Sequence, residues 1–517
     1  VPELNGAFIM SNEILANPAP AAEKHVVQRL RPNAVGLGGV LFMTIATAAP
    51  ITAMLGNVPI AVGSGNGQFA PAGFMVATLI LALFAIGYAQ MARFITATGA
   101  FYGFISHGLG RIVGMASGVT VTMTYIVFEA ALVGIFAFFC EDLINTVFSV
   151  HIPWLILAFA MLMTTGVLSY FDISLTSRVL GLCLVLEILI LTAVAVAVLI
   201  HGGGPQGFVP ESINPLNAFT PAKGVVGASA GIGLFFAFWS WVGFESSAMY
   251  GEESKNPKKI IPLATLLGVI GIGVFYVFIS WMAIAGTGPE QAIALAQDPN
   301  RAGEIFYGPA RQYLGEWAVG VFKLLVITGS FACGMAFHNC AARYLYALGR
   351  ENLFPFAGRT LGRSHSRHGS PHVASTVQTV IATLIVLLFF ITGKDPYADI
   401  YTLLALLGTM GIMIVQALCA FAVIVYFHGN KENIGKGHWF KTGVAPLLGG
   451  MGMIYIVYLL FKNMAFAAGA AASSSFYHAI PWIVLACFCF GAAIAVWFYL
   501  FDAQKYRVIG RIVLTDD

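Results

Sequence analysis

Long apolar runs recur along the chain, separated by short polar and glycine/proline-rich clusters. Twelve of them reach or approach the roughly 20 residues that a membrane-crossing helix needs. They centre on 36–60, 72–94, 112–140, 152–170, 176–200, 225–250, 260–286, 316–345, 370–392, 398–427, 442–463 and 479–501. No run alternates apolar and polar residues as a barrel strand does, so the pattern predicts an all-α polytopic membrane protein. The loops between runs are short; the longest are 201–224, 287–315 and 346–369.

Composition sharpens this reading. Hydrophobic residues make up 58% of the 517 and charged residues only 9%, against about 25% charged in soluble domains. A soluble enzyme, a nucleic-acid binder and a disordered scaffold are poor fits. The net charge of +3 implies no nucleic-acid partner. The basic residues are distributed unevenly. With the N-terminus placed in the cytoplasm, only Lys223, Arg301, Arg311, Lys323, Lys394 and Lys462 fall on the far side, and the other 20 of the 26 fall on the near side. That is a strong positive-inside bias. It predicts a multi-pass protein of the plasma (bacterial inner) membrane with both termini cytoplasmic. Residues 1–34 are polar and Pro/Ala-rich, with no cleavable signal peptide visible. The chain opens on Val1 and not Met, as a processed start would.

Seven cysteines lie in or beside apolar runs without C-x-x-C spacing, which fits inert thiols. No Walker A or His-Glu-x-x-His sequence occurs. Neither ATP-driven transport nor an enzyme is expected, and no cofactor or metal is implied.

Two runs carry internal breaks. Segment 1 reads Leu41-Phe42-Met43-Thr44-Ile45-Ala46-Thr47-Ala48-Ala49-Pro50-Ile51-Thr52, with Pro50 near its middle. Segment 6 reads Phe238-Trp239-Ser240-Trp241-Val242-Gly243-Phe244-Glu245-Ser246-Ser247. The breaks lie five segments apart. Two five-helix repeats of opposite topology would bring them together at the bilayer midplane. Half-helix ends there present free N–H groups to an anion and free carbonyls to a cation. A simple kink without a ligand is the plainer alternative.

Three stretches carry a family resemblance. Gly243-Phe244-Glu245, followed by Glu252-Glu253-Ser254-Lys255-Asn256-Pro257-Lys258-Lys259-Ile260-Ile261-Pro262, resembles the helix 6–7 signature of the amino acid–polyamine–organocation (APC) superfamily of transporters. Gly99-Ala100-Phe101-Tyr102 is similar to that family's G-G/A-x-Y. Asn339-Cys340-Ala341-Ala342-Arg343, with Gly349-Arg350-Glu351-Asn352-Leu353-Phe354-Pro355, resembles its helix 8 exit.

The resemblance implies the LeuT (APC) fold: twelve helices, a 5+5 inverted repeat, and two appended helices. On this plan 1–34 is a cytoplasmic segment, 35–200 the first repeat, 225–428 the second, 439–502 helices 11–12 and 503–517 a cytoplasmic tail. The resemblance also implies a secondary transporter of amino acids, amines or polyamines. A substrate carboxylate would meet amides at the first break, formed by Ala48, Ala49, Pro50, Ile51 and Thr52. Its amino group would meet carbonyls at both breaks, the second formed by Ser240, Trp241, Val242 and Gly243. Trp239 or Phe244 would cap the site. This chain departs from the family's G-S-G turn in segment 1, having Ala-Ala-Pro-Ile-Thr. It also lacks the segment 5 lysine of proton-coupled members and carries Glu187 at or near that position.

Acids within spans are costly and commonly functional. Glu129, Glu187 and Glu245 are three such acids. Glu129, with Tyr125 one turn earlier, is expected to line the pocket and favour a cationic amine; a structural hydrogen-bonded carboxyl is the alternative. Trp239 or Trp241 could add a cation–π contact. Glu187 is expected to carry a coupling proton, and Tyr102 and Glu245 to act in gating. His338 reads as a structural histidine.

Together these features predict a proton-coupled symporter or antiporter working by alternating access on a small amino acid or amine, as monomer or homodimer in the lipid bilayer. A substrate/product exchanger without net proton coupling, an inorganic cation carrier and a non-transporting sensor are the rivals.

Overall fold

Pro50 decides where the first apolar run breaks. It has no N–H to donate, and its ring disfavours helical geometry at the residue before it. In the computed structural model, helix α1 (Leu37–Ala48) ends at Ala49, which takes a left-handed conformation with φ 46°. Such a conformation costs an L-residue about 1–2 kcal/mol. Pro50 then opens α2 (Pro50–Ile60) at the position where its missing donor is harmless.

The structure describes residues 30, 32–96, 99–170, 173–298, 301–430, 433, 435–467, 472 and 474–511. Most of the N-terminal segment expected over 1–34, and tail residues 512–517, lie outside the described residues.

After α2 come α3 (Ala70–Phe94), the short α4 (Ala100–Gly108), α5 (Arg111–Phe148), α6 (Trp154–Tyr170) and α7 (Ile173–Ile200). The second half opens with α8 (Ala230–Trp239), followed by α9 (Pro257–Thr287) and two short helices, α10 (Pro289–Ala296) and α11 (Glu304–Leu314). Then come α12 (Glu316–Arg350), α13 (His372–Ile391) and α14 (Thr402–Ile424). Finally, α15 (Ala445–Ala467), α16 (Ser475–Phe501) and the short α17 (Ala503–Val508) complete the chain. No strand ladder occurs among the described residues; Val35 with Ser254 and Gly204 with Gly207 form isolated bridges.

Each of the twelve expected stretches carries helix. Among the described residues nine helical stretches are long and apolar enough to cross a membrane. Trp154–Tyr170 and Leu184–Ile200 are shorter apolar helices, and the sixth stretch is split. This is the LeuT fold.

The sixth stretch breaks because α8 stops at Trp239 and a turn leads to Gly243, with φ 114°. Only glycine takes that conformation readily. A 3-10 helix over Phe244–Tyr250 continues the chain. The two breaks touch: a Cβ on Gly243 would collide with the Thr47 side chain of α1. Large apolar side chains such as Leu79, Val167, Val274 and Trp482 are exposed on the outer faces, as expected of a lipid-facing surface.

Candidate functional site

The two breaks frame a small cavity. Its lining includes Thr47, Ala48, Ala49 and Thr52 from the first break and Trp239, Ser240 and Val242 from the second. Asn57 of α2, with Leu132, Cys333, Phe337 and Tyr401 from the surrounding helices, closes it. Every one of these residues is buried. The cavity measures ≈ 20 Å³, room for about one water. The site is thus contracted, and none of its lining side chains bears a charge.

The freed carbonyls at the end of α1 are met by side chains. Tyr276 donates its hydroxyl to Ala48 O at 2.9 Å. The Cys333 thiol, a weak donor, reaches Thr47 O at 3.3 Å. On the amide side, Pro50 offers nothing, and the first N–H is that of Ile51. It donates to Glu187 Oε2 at 3.3 Å. Glu187 comes from α7 and is 2% exposed. The space for this contact is provided by Gly329 of α12. A Cβ there would lie 2.6 Å from Ile51 Cγ2 and 2.9 Å from Glu187 Oε1.

A hydrogen-bonded chain spans one side of the cavity. Trp239 donates its indole N–H to the Tyr401 hydroxyl at 3.1 Å. Tyr401 donates to Asn57 Oδ1 at 3.1 Å, and Asn57 donates to Ser240 Oγ at 2.9 Å. The Trp239 ring lies parallel to Phe337 at 6.4 Å and packs on Phe128 at 4.6 Å. The two half-helices are therefore tied together through Asn57 and Ser240.

Of the site residues expected from sequence, Ala48, Ala49, Thr52, Trp239, Ser240 and Val242 line the cavity. Pro50 and Ile51 stand behind it, Ile51 facing Glu187. Trp241 lies in the turn after α8 and is not among the cavity-lining residues. It packs against Phe74 and Tyr276 and donates to Val269 O at 3.4 Å. Phe244 packs on Phe84, not on the cavity.

Gly243 and Glu245 form the hinge itself: the Gly243 N–H donates to Glu245 Oε2 at 3.1 Å, and Tyr125 donates to Glu245 Oε1 at 2.7 Å. Tyr88 donates to the Glu245 carbonyl at 2.8 Å. Tyr125 is thus spent on the hinge.

Glu129 is not among the cavity-lining residues. Both its oxygens lie 3.0 Å from His338 Nδ1, and Gln378 donates to Oε2 at 2.6 Å. His338 Nε2 meets Ser375 Oγ at 2.8 Å. These groups knit α5, α12 and α13 together behind the cavity wall.

Asn57, Tyr401, Cys333 and Phe337 were not singled out in the sequence. Asn57 carried a usable signal: a lone amide seven residues after Pro50, two turns along one helix face. Tyr401 and Cys333 carried none.

Beyond the cavity, on the side with the basic majority, buried ion pairs join α12 to the loop after the sixth stretch. Arg343 grips Glu253 with two bonds of 3.0 Å, and Arg350 grips Glu252 at 2.6 and 3.0 Å. The Arg343 guanidinium also sits 4.7 Å over the Tyr250 ring. The Val35 N–H donates to Glu253 O at 3.0 Å, which fastens the start of α1 to the same loop.

Tyr102 donates to Glu351, and the Gly510 N–H reaches both the Tyr102 hydroxyl, at 2.9 Å, and Glu351 Oε1, at 2.6 Å. Burial pushes the Glu351 carboxyl up to about 8, against the opposing pull of its hydrogen bonds to Tyr102 and Gly510 and of the Arg350 charge.

A family profile described as "Amino acid permease" matches residues 36–501, nearly all of the helical part. The chain belongs to this family. The branched-chain amino acid permease BcaP of Bacillus subtilis (strain 168) is 24% identical over 409 residues, covering 75% of this chain and 79% of its own. The putrescine transporter PotE of Haemophilus influenzae is 21% identical over 244 residues, covering 47% and 52%. Among solved structures, the nucleobase-cation-symport-1 family transporter Mhp1, in a closed conformation with bromovinylhydantoin bound, shares the fold. The TM-score is 0.51 at 12% identity, with 88% of this chain and 98% of that one covered. The permease is therefore a multi-pass secondary transporter with a small-molecule substrate.

Proposed function

We propose that the permease carries a small neutral amino acid together with a proton, and that Glu187 holds the proton. The observation that carries this reading is the bond from the Ile51 N–H to Glu187. The start of α2 is a helix N-terminus inside the bilayer, with a partial positive charge and unshared N–H groups. A substrate carboxylate would seek the same amides, those of Ile51 and Thr52. Two ionised carboxylates cannot share them without strong repulsion. Protonation of Glu187 frees the Ile51 amide and removes that repulsion, so proton and substrate each favour binding of the other. The substrate ammonium would displace the weak Cys333 donor from Thr47 O.

The uncharged lining supports a neutral side chain on the substrate, as does the name of the Bacillus relative. A preference for a cationic amine would need a carboxylate facing the cavity. Glu129, the acid expected in that role, is engaged by His338 and Gln378. We further propose the plasma membrane as location, with the face bearing Arg343, Arg350 and the tail toward the cytoplasm.

The test is uptake into proteoliposomes with an imposed pH gradient, comparing leucine, valine and alanine with arginine and putrescine. Accumulation of a neutral amino acid driven by an acidic exterior is the expected result. Uptake of putrescine alone would overturn the substrate assignment. Counterflow without any gradient-driven accumulation would make the protein an exchanger.

A further inference from the structure

One feature outside the transport path faces the membrane. A groove of ≈ 500 Å³ runs between α6 and α13. Met163, Val167, Val380 and Leu384 form its walls and are 53–60% exposed. The threonines in it keep their hydroxyls to themselves: Thr376, Thr379 and Thr383 donate to the carbonyls of His372, Ser375 and Thr379 within α13. The groove thus presents an apolar surface to whatever fills it. From Thr376 to Leu384 it follows the helix for roughly 12 Å, close to the half-thickness of a bilayer's hydrocarbon core, about 15 Å.

One end of the groove is different in kind. It closes on Tyr170, whose ring meets His365 at 5.1 Å and His372 at 5.9 Å. The loop before α13 is fastened there. Ser370 donates its hydroxyl to Tyr170 O at 2.7 Å, and the His365 N–H donates to Ser370 O at 2.8 Å. His365 Nδ1 accepts the amides of Arg367 and His368 at 3.2 and 3.1 Å. This compact fold leaves the Arg363 and Arg367 side chains exposed. No acidic residue occurs between Glu351 and Asp395, so the loop supplies them no carboxylate. The start of α13, which follows this loop, has no side-chain cap; its first N–H, that of His372, turns back to Ser370 O at 2.9 Å.

We propose that this groove binds an anionic phospholipid, with one acyl chain along Val167 and Val380 and the phosphate between Arg363, Arg367 and the start of α13. The apolar length suits a chain in one leaflet. The basic charge at one end selects the headgroup and puts the site on the leaflet facing the basic side of the protein. This inference is independent of the transport reading.

The test uses the full chain in detergent, titrated with phosphatidylglycerol and with phosphatidylcholine of identical chains, and read by thermal stabilisation and native mass spectrometry. Phosphatidylglycerol should bind the more tightly. The double variant R363Q/R367Q should lose roughly 30-fold of that affinity, about fivefold per arginine, and become indifferent to the headgroup. V380W, which fills the groove from an exposed position, should weaken both lipids. Equal affinity for the two lipids in the unaltered protein would overturn the proposal, and so would a headgroup preference that survives R363Q/R367Q. If V380W leaves lipid binding intact and instead abolishes a dimer, the groove belongs to a second copy of the chain and the lipid site is refuted.

Discussion

Glu187 Oε2 lies 3.3 Å from the backbone nitrogen of Ile51, across the gap between α7 and the start of α2. A carboxyl group of the protein therefore occupies the anion-attracting end of a half-helix, one residue away from the cavity-lining Thr52. An ionised acid is costly in a bilayer interior. The amide and the helix end offset that cost only while the carboxyl stays in this position.

Gly329 keeps it there. In G329A the new methyl would press on both Ile51 and Glu187. Transport should fall about tenfold or more, since roughly 1.4 kcal/mol of lost positioning is a factor of ten. The purified variant should still elute as a folded species. Uptake and size-exclusion profiles measured together check this; normal uptake would mean that the contact can shift freely.

The Glu129–His338–Gln378 cluster is expected to be structural. Removing one partner of a buried pair typically costs about 3–5 kcal/mol. H338A should therefore lower the unfolding temperature sharply while leaving substrate discrimination unchanged in whatever protein remains folded. A variant that keeps its stability but gains or loses affinity for cationic amines would return Glu129 to the binding site.

Much of this was legible in the sequence, and the limits have physical causes. Pro50 and Gly243 announced both breaks because each residue has a backbone consequence wherever it sits. The acids Glu187 and Glu129 were equally visible as charges in apolar runs. Which of them faces the break depends on helix rotation, which the sequence does not reveal when a helix is apolar on nearly every face. Neither His338 nor Gln378 could be paired with Glu129 from spacing, because they lie on α12 and α13, some 200 residues along the chain. Trp239 and Trp241 looked alike in the sequence, yet one ends α8 and lines the cavity while the other lies in the turn beyond it and does not.

Tyr401 holds Trp239 and Asn57 at once. Y401F would leave the indole N–H without its acceptor and Asn57 Oδ1 without its donor, a loss of about 1–3 kcal/mol. The apparent KM should rise roughly 5- to 150-fold with little change in expression. Measuring initial uptake against substrate concentration decides it, and an unchanged KM would exclude the chain from the binding step.

The inner contact among Tyr102, Glu351 and Gly510 should weaken in alkali. With the Glu351 carboxyl pushed up to about 8, the closed arrangement holds a proton that a solvent-exposed carboxyl releases near 4.3. Closure is therefore favoured at the acid end of this window and is lost as pH rises through about 8. The protection of the Gly510 amide against hydrogen exchange, taken relative to its intrinsic rate at each pH, should fall over that range in the unaltered protein and show no such step in E351Q. A step that persists in E351Q would assign the titration to another group.

The most direct measurement is neutral amino acid uptake into proteoliposomes as a function of the imposed pH gradient, for the unaltered protein and for E187Q side by side. The unaltered protein should accumulate substrate when the exterior is acidic. E187Q, a neutral mimic of the protonated acid, should bind and exchange substrate without accumulating it and without pH dependence. If E187Q accumulates substrate with the same pH dependence as the unaltered protein, Glu187 does not carry the proton.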